Sequence, residues 1–406
     1  MTKIRILLFL ITVVVVISVG ILASLYARGY RLDPSTLKFS PNGLLVIKSV
    51  PDGAQIFVNA ELKTATNATI PLPPGTYDVG VRKEGYSQWS KRLEIQKEVV
   101  TEDTAYLFKA APSLSAITFS GVISPIPSND ISKLAYVIPP SPNNTVNQEG
   151  TDGLWVMDLI SLPLGFSREP RRITDGDLTQ ADWIWSPDGR QILLNTYTGS
   201  YLLSSGSFTT QAQRTNIASQ KNQILKDWQE QERLRLDAQL KRLPEELKDI
   251  LTRKVSAVEF SPDEEIILYT ASSSAALSPN LIKSLPGAST QKQERNIKPA
   301  QTYTYNIKED RNFLIDENSL DLSIKGGLAS PAKRKLSFFP TSRHLVLAEE
   351  EKVSVMDYDG TNRQVVYSGS YLSPNAFPTL SADRLLILTN LGASSVPATL
   401  YSLSLK

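Results

Sequence analysis

The sequence predicts a mainly β protein in which two β-domains follow an N-terminal membrane-spanning helix. Three observations predict it: a long uncharged apolar run near the N-terminus, a stretch of Pro- and Gly-containing turns between alternating apolar runs, and a Ser-Pro-Asp pattern that recurs through the rest of the chain. With 406 residues, the chain is also too long for one ordinary hydrophobic core, which indicates at least two domains.

Composition excludes several classes of protein. The net charge is +2 and no dense cluster of Lys and Arg appears, so we do not expect a nucleic-acid-binding protein, which would need a basic surface to replace counterions. The chain has no Cys, which excludes both a disulfide framework and a thiolate zinc site. This composition is compatible with either side of a membrane.

The N-terminal apolar run predicts a membrane anchor within residues 1–30. From Ile6 to Ala27 there are 22 residues without a charge, and a helix of that length spans about 33 Å, enough for a hydrocarbon core of about 30 Å. The alternative is a cleaved signal peptide. The run exceeds the length usual for a signal peptide, and no A-x-A cleavage site closes it, so we favour an uncleaved single-pass anchor.

The charges beside this run leave its orientation open. Lys3 and Arg5 precede it, and Arg28 and Arg31 follow it, so the positive-inside rule decides little. A very short N-terminal tail before a large C-terminal part favours a cytoplasmic N-terminus. We therefore predict a cell-membrane protein with its β-domains outside the cytoplasm.

Residues 40–110 predict a small β-sandwich. Pro51-Asp52-Gly53 and Pro74-Gly75 reverse the chain, because Pro fixes φ and Gly permits positive φ. After the second turn, Tyr77, Val79 and Val81 alternate at the period of a strand. The alternative is a generic immunoglobulin-like sandwich that carries the same turns by chance.

These residues resemble the PEGA domain family, named for a Pro-Glu-Gly-Ala turn. The matching features are Pro51-Asp52-Gly53-Ala54, Pro74-Gly75, Tyr77, Val79, Val81, Gly85-Tyr86 and Trp89. Two steps depart from the family pattern, at Asn59-Ala60 and at Ala68-Thr69-Ile70-Pro71. The resemblance implies an extracytoplasmic, often surface-layer-associated module with no catalysis of its own.

From about residue 112 to 406 a second pattern recurs and predicts a β-propeller of about five blades. Its copies are Trp183–Leu194, Val258–Tyr269, Leu336–Leu347, Pro378–Leu388 and, as the first, Pro127–Tyr136. Such units must stack to bury their apolar faces, and four short strands per unit form a propeller blade. The units resemble TolB-type and WD-repeat-like propellers; a β-solenoid is the alternative. We further expect Leu114–Phe119 to pair with the last blade.

Insertions interrupt the repeats. Residues 215–253 predict two charged helices, the second beginning at Pro244. Their apolar stripe consists of Leu225, Trp228, Leu236, Leu240, Leu243, Leu247 and Leu251. The stripe could dock a partner or pack on the propeller itself, and we favour the second. Residues 272–300, rich in Ser, Pro, Lys and Gln, and Pro139–Gly150 predict exposed flexible loops.

No motif indicates catalysis, a metal site or a cofactor. His344 is the only histidine and lies in a predicted strand. No G-x-S-x-G elbow occurs around which a Ser-His-Asp triad could be assembled, and H-E-x-x-H needs two histidines; we expect a structural role for His344. Asp175, Asp177 and Asp182 lack the final Glu of a calcium loop and favour a solvated turn. The sequence does not identify ligand-binding residues, and carboxylates gathered from different blades remain an alternative.

We therefore expect a non-catalytic binding or scaffold protein of the cell envelope, without a cofactor. Its partner would be a protein or a polysaccharide, bound through the propeller and the PEGA-like domain. One alternative is a propeller enzyme that acts on envelope glycans. Another is an assembly or sensor subunit that docks through residues 215–253, in which reversing the charges of Arg233, Arg235 and Lys241 should weaken binding.

Overall fold

A computed structural model describes residues 2–27, 30–32, 39–140, 150–159, 169–283, 290–320, 322 and 334–406. The first element is helix α1 (Thr2–Ala27). Within it, Leu7–Ser24 has a mean hydropathy of 2.9, and none of this segment is buried. By length and composition α1 could cross a bilayer; its topology stays a prediction.

The described chain divides into two compact units. Unit 1 comprises residues 1–107 with 283–292, and unit 2 comprises residues 108–282 with 293–406. As predicted, the architecture is mainly β. Parts of two predicted loops, residues 141–149 and 284–289, lie outside the described residues.

Unit 1 is a small β-sandwich. Its strands are β1 (Tyr30–Leu32), β2 (Phe39–Pro41), β3 (Gly43–Val50), β4 (Gln55–Val58), β5 (Glu61–Ala65), β6 (Ala68–Leu72), β7 (Gly75–Arg82), β8 (Trp89–Ile95) and β9 (Val100–Tyr106). The two sheets of the sandwich have the orders β6-β3-β9 and β5-β4-β7-β8, and β1 and β2 form a separate antiparallel pair. Leu45, Ile56, Val79 and Trp89 belong to its buried core. At the predicted Pro-Asp-Gly turn, Gly53 has φ of 69°, a conformation that favours glycine.

Unit 2 contains twenty-one described strands and two α-helices. The strands before the helices are β10 (Ser113–Ala116), β11 (Ile123–Pro127), β12 (Lys133–Ile138), β13 (Gly153–Asp158), β14 (Arg171–Asp175), β15 (Asp182–Trp185), β16 (Gln191–Thr196) and β17 (Gly199–Ser204). A 3₁₀ turn (Gln211–Gln213), α2 (Lys221–Leu240) and α3 (Glu245–Arg253) follow.

The remaining strands follow the helices. They are β18 (Val255–Phe260), β19 (Ile266–Ala271), β20 (Ala275–Ala276), β21 (Asn296–Ile297), β22 (Thr302–Asn306), β23 (Arg311–Asp316), β24 (Lys335–Phe338), β25 (His344–Glu349), β26 (Lys352–Asp357), β27 (Gln364–Ser368), β28 (Ala376–Pro378), β29 (Arg384–Thr389) and β30 (Thr399–Ser404).

Apart from the β20-β21 pair, the described part of unit 2 contains five antiparallel sheets that follow one another along the chain, and we number them as blades. Blade 1 is β11-β12-β13-β14, blade 2 is β15-β16-β17, blade 3 is β18-β19-β22-β23, blade 4 is β24-β25-β26-β27, and blade 5 is β28-β29-β30-β10. The prediction that Leu114–Phe119 pairs with the last blade is confirmed for Leu114–Ala116, since Leu114 lies opposite Leu403 and Ala116 opposite Tyr401.

Neighbouring blades share apolar cores. Blades 1 and 2 pack through Val156 and Trp183, among other residues. Blades 3 and 4 pack through Leu268 and Phe338, and blades 5 and 1 through Leu386 and Tyr136. In β12, for example, Ala135 and Val137 face the core shared with blade 2, and Leu134 and Tyr136 face the core shared with blade 5.

The helical insertion packs on blade 3. Leu240, Leu243, Leu247 and Leu251 share a core with β19 and β22, so this part of the apolar stripe is used inside unit 2 and is not available to dock a partner. Residues 272–300 also differ from the expected open loop. They form the β20–β21 pair and bury Leu277 and Ile297, because these apolar side chains join the same core.

Candidate functional site

A cavity of about 690 Å³ lies in unit 2 beside helix α2 and strand β18. Five cavity residues lie on α2, the whole of β18 lines the cavity, and single residues come from two hairpin turns and two other segments. The lining residues are Gln231, Glu232, Arg235, Leu236, Gln239, Val255, Ser256, Ala257, Val258, Glu259, Phe260, Asn129, Pro187, Leu251 and Leu322.

Helix α2 presents one face to the cavity. Gln231, Arg235 and Gln239 recur every four residues, the spacing that places side chains on the same side of a helix. Polar contacts hold this part of α2 at both ends. The Asn129 amide donates to Glu232 over 2.7 Å, and Glu264 accepts hydrogen bonds from Gln239 and Arg242 over 2.8 and 2.6 Å.

Strand β18 is the most open first strand of any blade. None of its six residues is fully buried, whereas β11, β15, β24 and β28 each have at least two buried residues. It is also an edge strand, because β19 is its only neighbour in the sheet order. An edge strand presents backbone N–H and C=O groups that a further extended chain can use.

The cavity combines an apolar wall with three charges. Val255, Ala257, Val258 and Phe260 supply apolar side chains from β18, and Leu236 supplies one from α2. The charged residues are Glu232, Arg235 and Glu259. Among the residues that the structure describes, Arg235 makes no ion pair, so its guanidinium is available to an acceptor group of a ligand.

The structure places His344 in the interior of blade 4, away from this cavity. Its ring is buried, its Nδ1 lies 2.7 Å from the Thr341 hydroxyl, and its Nε2 lies 3.3 Å from the Asp357 carboxylate. Phe108 meets the ring edge to face at 5.3 Å. These contacts satisfy both ring nitrogens within the blade, which is the environment of a structural histidine.

The three aspartates considered for calcium do not converge. Asp177 accepts hydrogen bonds from the backbone N–H and hydroxyl of Thr179, which lower the pKa of this exposed carboxyl. Asp175 accepts one from the backbone of Gln211. Across the described ranges, no group of three or more His, Cys, Asp or Glu side chains could hold a metal ion.

Of the three helix cations singled out in the sequence, only Arg235 lines the cavity. Arg233 is held on the exposed side of α2 by Glu230 and Asp237. The contribution of β18 to the site was not predicted. Its sequence, Val-Ser-Ala-Val-Glu-Phe, identifies a strand, but its openness depends on how α2 and the turns that carry Asn129 and Pro187 are placed around it.

Comparison with known proteins identifies part of the chain. Residues 42–109 match the PEGA domain, which confirms the resemblance described for unit 1. Among curated proteins, no sequence matches this chain.

Several solved structures align weakly with the chain. A protein assigned as TolB from Agrobacterium tumefaciens is 12% identical, over 70% of this chain and 79% of that one, with a TM-score of 0.22. TolB from Acinetobacter baumannii is 12% identical, over 81% and 59%, with a TM-score of 0.21. An oligogalacturonate lyase in complex with manganese is 11% identical, over 93% and 96%, with a TM-score of 0.23. At these TM-scores the likeness carries no argument about function.

Proposed function

We propose, from the PEGA domain at residues 42–109 and the open strand in unit 2, that this chain is a membrane-anchored binding protein of the cell envelope. In this proposal α1 anchors the chain, the two β-units lie outside the cytoplasm, and the cavity receives an extended segment of a partner protein. The chain would act by binding, as a scaffold or spacer, without catalysis.

The anchor is supported by the length and apolarity of α1. Its 26 residues extend about 39 Å at about 1.5 Å per residue, and the side chains of its apolar segment are exposed. Protease accessibility of a C-terminal tag tests the topology. Digestion in cells whose inner membrane is intact supports an outside location, and protection until that membrane is broken overturns it.

The single observation that carries the binding proposal is the open edge of β18. A partner segment in extended conformation would pair with this edge and place side chains on the apolar residues of the cavity wall. Gln231, Arg235 and Gln239 would face the segment from α2 and offer amide and guanidinium groups to its carbonyl groups.

Site-specific photocrosslinking tests the identity of the partner. A benzophenone amino acid in place of Gln231 should form an adduct in cells that protease digests and mass spectrometry identifies as a peptide. The matched control carries the same group in place of Tyr197, whose side chain is 96% exposed in a turn outside the cavity. An adduct that periodate cleaves would identify the partner as a polysaccharide and contradict a protein partner. Equal amounts of adduct at positions 231 and 197 would contradict a role for the cavity.

The enzymatic alternative rests on two carboxylates, Glu232 and Glu259, in the same cavity. Paired carboxylates can cleave glycosidic bonds when they flank the bond. Release of soluble sugars from isolated envelope glycans by the purified chain, lost in Glu259→Gln, would overturn the non-catalytic proposal. We expect no release from either protein.

A further inference from the structure

Three connecting segments of blade 5 lie together on the surface of unit 2: Ile117–Val122, Gly369–Asn375 and Asn390–Ala398. The N–H of Val122 donates to the carbonyl of Ala398 over 2.8 Å, and a methyl group on Gly121 would fall 2.7 Å from Cβ of Pro397. The Thr389 hydroxyl donates to the carbonyl of Ser370 over 2.6 Å. We call the surface of these three segments the uncharged patch.

The uncharged patch contains no Asp, Glu, Lys or Arg, although these residues make up 21% of the chain. It nevertheless exposes large apolar side chains. Phe119 is 92% exposed, Leu391 56%, Val396 52% and Leu372 44%. Single exposed apolar residues are ordinary on a protein surface, but four on adjoining segments without a charge indicate a surface that meets an apolar medium.

The turn between β25 and β26, which carries two acidic residues, borders the patch. The N–H of Gly369 donates to the carbonyl of Glu351 over 2.9 Å, and the side chains of Glu350 and Glu351 are exposed. Negative charges at this border would repel an anionic surface and leave a neutral one unaffected.

We propose that the uncharged patch inserts into the headgroup region of a lipid bilayer with neutral headgroups. Loops without charge can enter this region without removing a charge from water, and their apolar tips gain from the transfer. The inference rests on the proposed anchoring, since α1 would keep the patch at a high effective concentration near a membrane.

A protein partner fits the patch less well. Protein interfaces surround an apolar centre with a polar rim that orients the partner, whereas the three segments themselves carry no charged residue. A second copy of the chain is the outcome that the experiment must distinguish from a bilayer.

The absence of Cys from the chain allows a single reporter to be introduced. The full chain with Leu391→Cys, labelled with an environment-sensitive fluorophore, is reconstituted in phosphatidylcholine vesicles. We expect a blue-shifted emission that lipid-borne spin labels quench and aqueous iodide does not. The matched control is Tyr197→Cys, which should stay accessible to iodide, and Val396→Cys is a second reporter if the first variant does not fold.

The lipid composition provides a further readout. The blue shift at position 391 should fall as phosphatidylglycerol replaces phosphatidylcholine, because of the acidic border. Equal iodide quenching at positions 391 and 197 overturns the proposal. A blue shift in detergent that grows with protein concentration and needs no lipid also overturns it, in favour of a second copy.

Carbonate extraction separates this inference from the anchoring on which it rests. If the chain resists extraction but the fluorophore at position 391 stays accessible to iodide, the result contradicts insertion of the patch and leaves the anchor supported. A chain that is extracted contradicts the anchor, and a blue shift on adding vesicles to that extracted chain would still support the patch.

Discussion

Ser186 and Asp188 form the same contact as their counterparts in two other blades. Ser186 donates to Asp188 over 2.6 Å and accepts the N–H of Gln191 over 2.9 Å. The equivalent pairs, Ser128 with Asp130 and Ser261 with Asp263, are also 2.6 Å apart. The hydrogen bond from Ser186 holds the pKa of Asp188 below its usual value. Because each contact spans only a few residues, the sequence pattern predicts the turn directly.

Removing the turn hydroxyl should destabilise unit 2. Ser186→Ala leaves the Gln191 N–H and the Asp188 carboxylate without this partner, so we expect the free energy of unfolding to fall by about 1–3 kcal/mol. Denaturant titration measures the change. The matched control, Ser395→Ala in an exposed loop, should change the stability by less than about 0.5 kcal/mol, and an equal loss in both variants would contradict the role of the turn.

A half-buried charge network predicts a pH dependence. Arg334 lies 2.7 Å from Asp316 and 3.0 Å from Glu349. Burial alone would raise the pKa of both carboxyls. Hydrogen bonding and positive charge outweigh this effect, from Arg334 for Asp316 and from Lys352 and Arg334 for Glu349. Both pKa values therefore lie below their usual values. These carboxylates therefore stabilise the fold at neutral pH, and this contribution is lost as pH falls through the lowered pKa values.

Arg334→Ala should cost about 2 kcal/mol of stability at neutral pH. The loss should shrink at acid pH, as the pH falls through the lowered pKa values and the two carboxylates take up protons. Urea unfolding at several pH values measures both quantities. Arg190→Ala, which removes an exposed arginine 3.9 Å from Asp188, serves as the control and should cost less than about 1 kcal/mol. A penalty that does not change with pH would exclude the network as its origin.

At the scale of elements, α2 and α3 show that a sequence pattern can predict that a helix forms but not which surface or cavity the helix lines. The apolar spacing and Pro244 predicted both helices, and α3 begins directly after Pro244. The face of α2 that lines the cavity could not be predicted, because Gln231, Arg235 and Gln239 form a cavity wall only when α2 lies beside β18. Blade 4 illustrates the same limit. It has Phe339 and Thr341 at the positions of Ser186 and Asp188, so its copy of the pattern is weak.

Truncating the buried face of α3 should be costly. Leu247 is fully buried, and Leu247→Ala should lower the free energy of unfolding by about 2–5 kcal/mol through lost burial and a residual cavity. Leu234→Ala, in a side chain that is 54% exposed on α2, is the matched control and should change it by about 0.5 kcal/mol or less. Chemical denaturation measures both. Similar losses would mean that the hairpin does not pack as described.

At the scale of the whole molecule, unit 2 depends on a contact between its beginning and its end. β10 completes the sheet that β28, β29 and β30 begin, and Thr118 extends the contact by accepting the N–H of Leu400 over 2.9 Å. The sequence analysis expected Leu114–Phe119 to pair with the last blade, and β10 pairs with β30 there. The number of repeats likewise follows from local patterns, whereas the partner and the binding residues depend on packing between distant segments.

Deletion of Leu114–Phe119 should lower the thermal midpoint of unit 2 by about 10 °C or more, because blade 5 loses an edge strand and its buried bond to Thr118. Differential scanning calorimetry measures the midpoint. Removing Ser394 and Ser395 from the exposed loop before β30 controls for shortening the chain and should leave the midpoint nearly unchanged. An unchanged midpoint in the first variant would exclude a stabilising role for the pairing.

A second hydrogen bond also joins the beginning and the end of unit 2. The N–H of Lys109 donates to the carbonyl of Leu405 over 2.8 Å, so the two ends of unit 2 are already adjacent. Unit 2 is therefore suited to circular permutation: a short Gly-Ser bridge could join these ends, and new termini could open between Ser394 and Ser395. A domain fused after Leu405 would begin beside Lys109. The position after Leu405 is therefore suited to an affinity tag or a fluorescent protein.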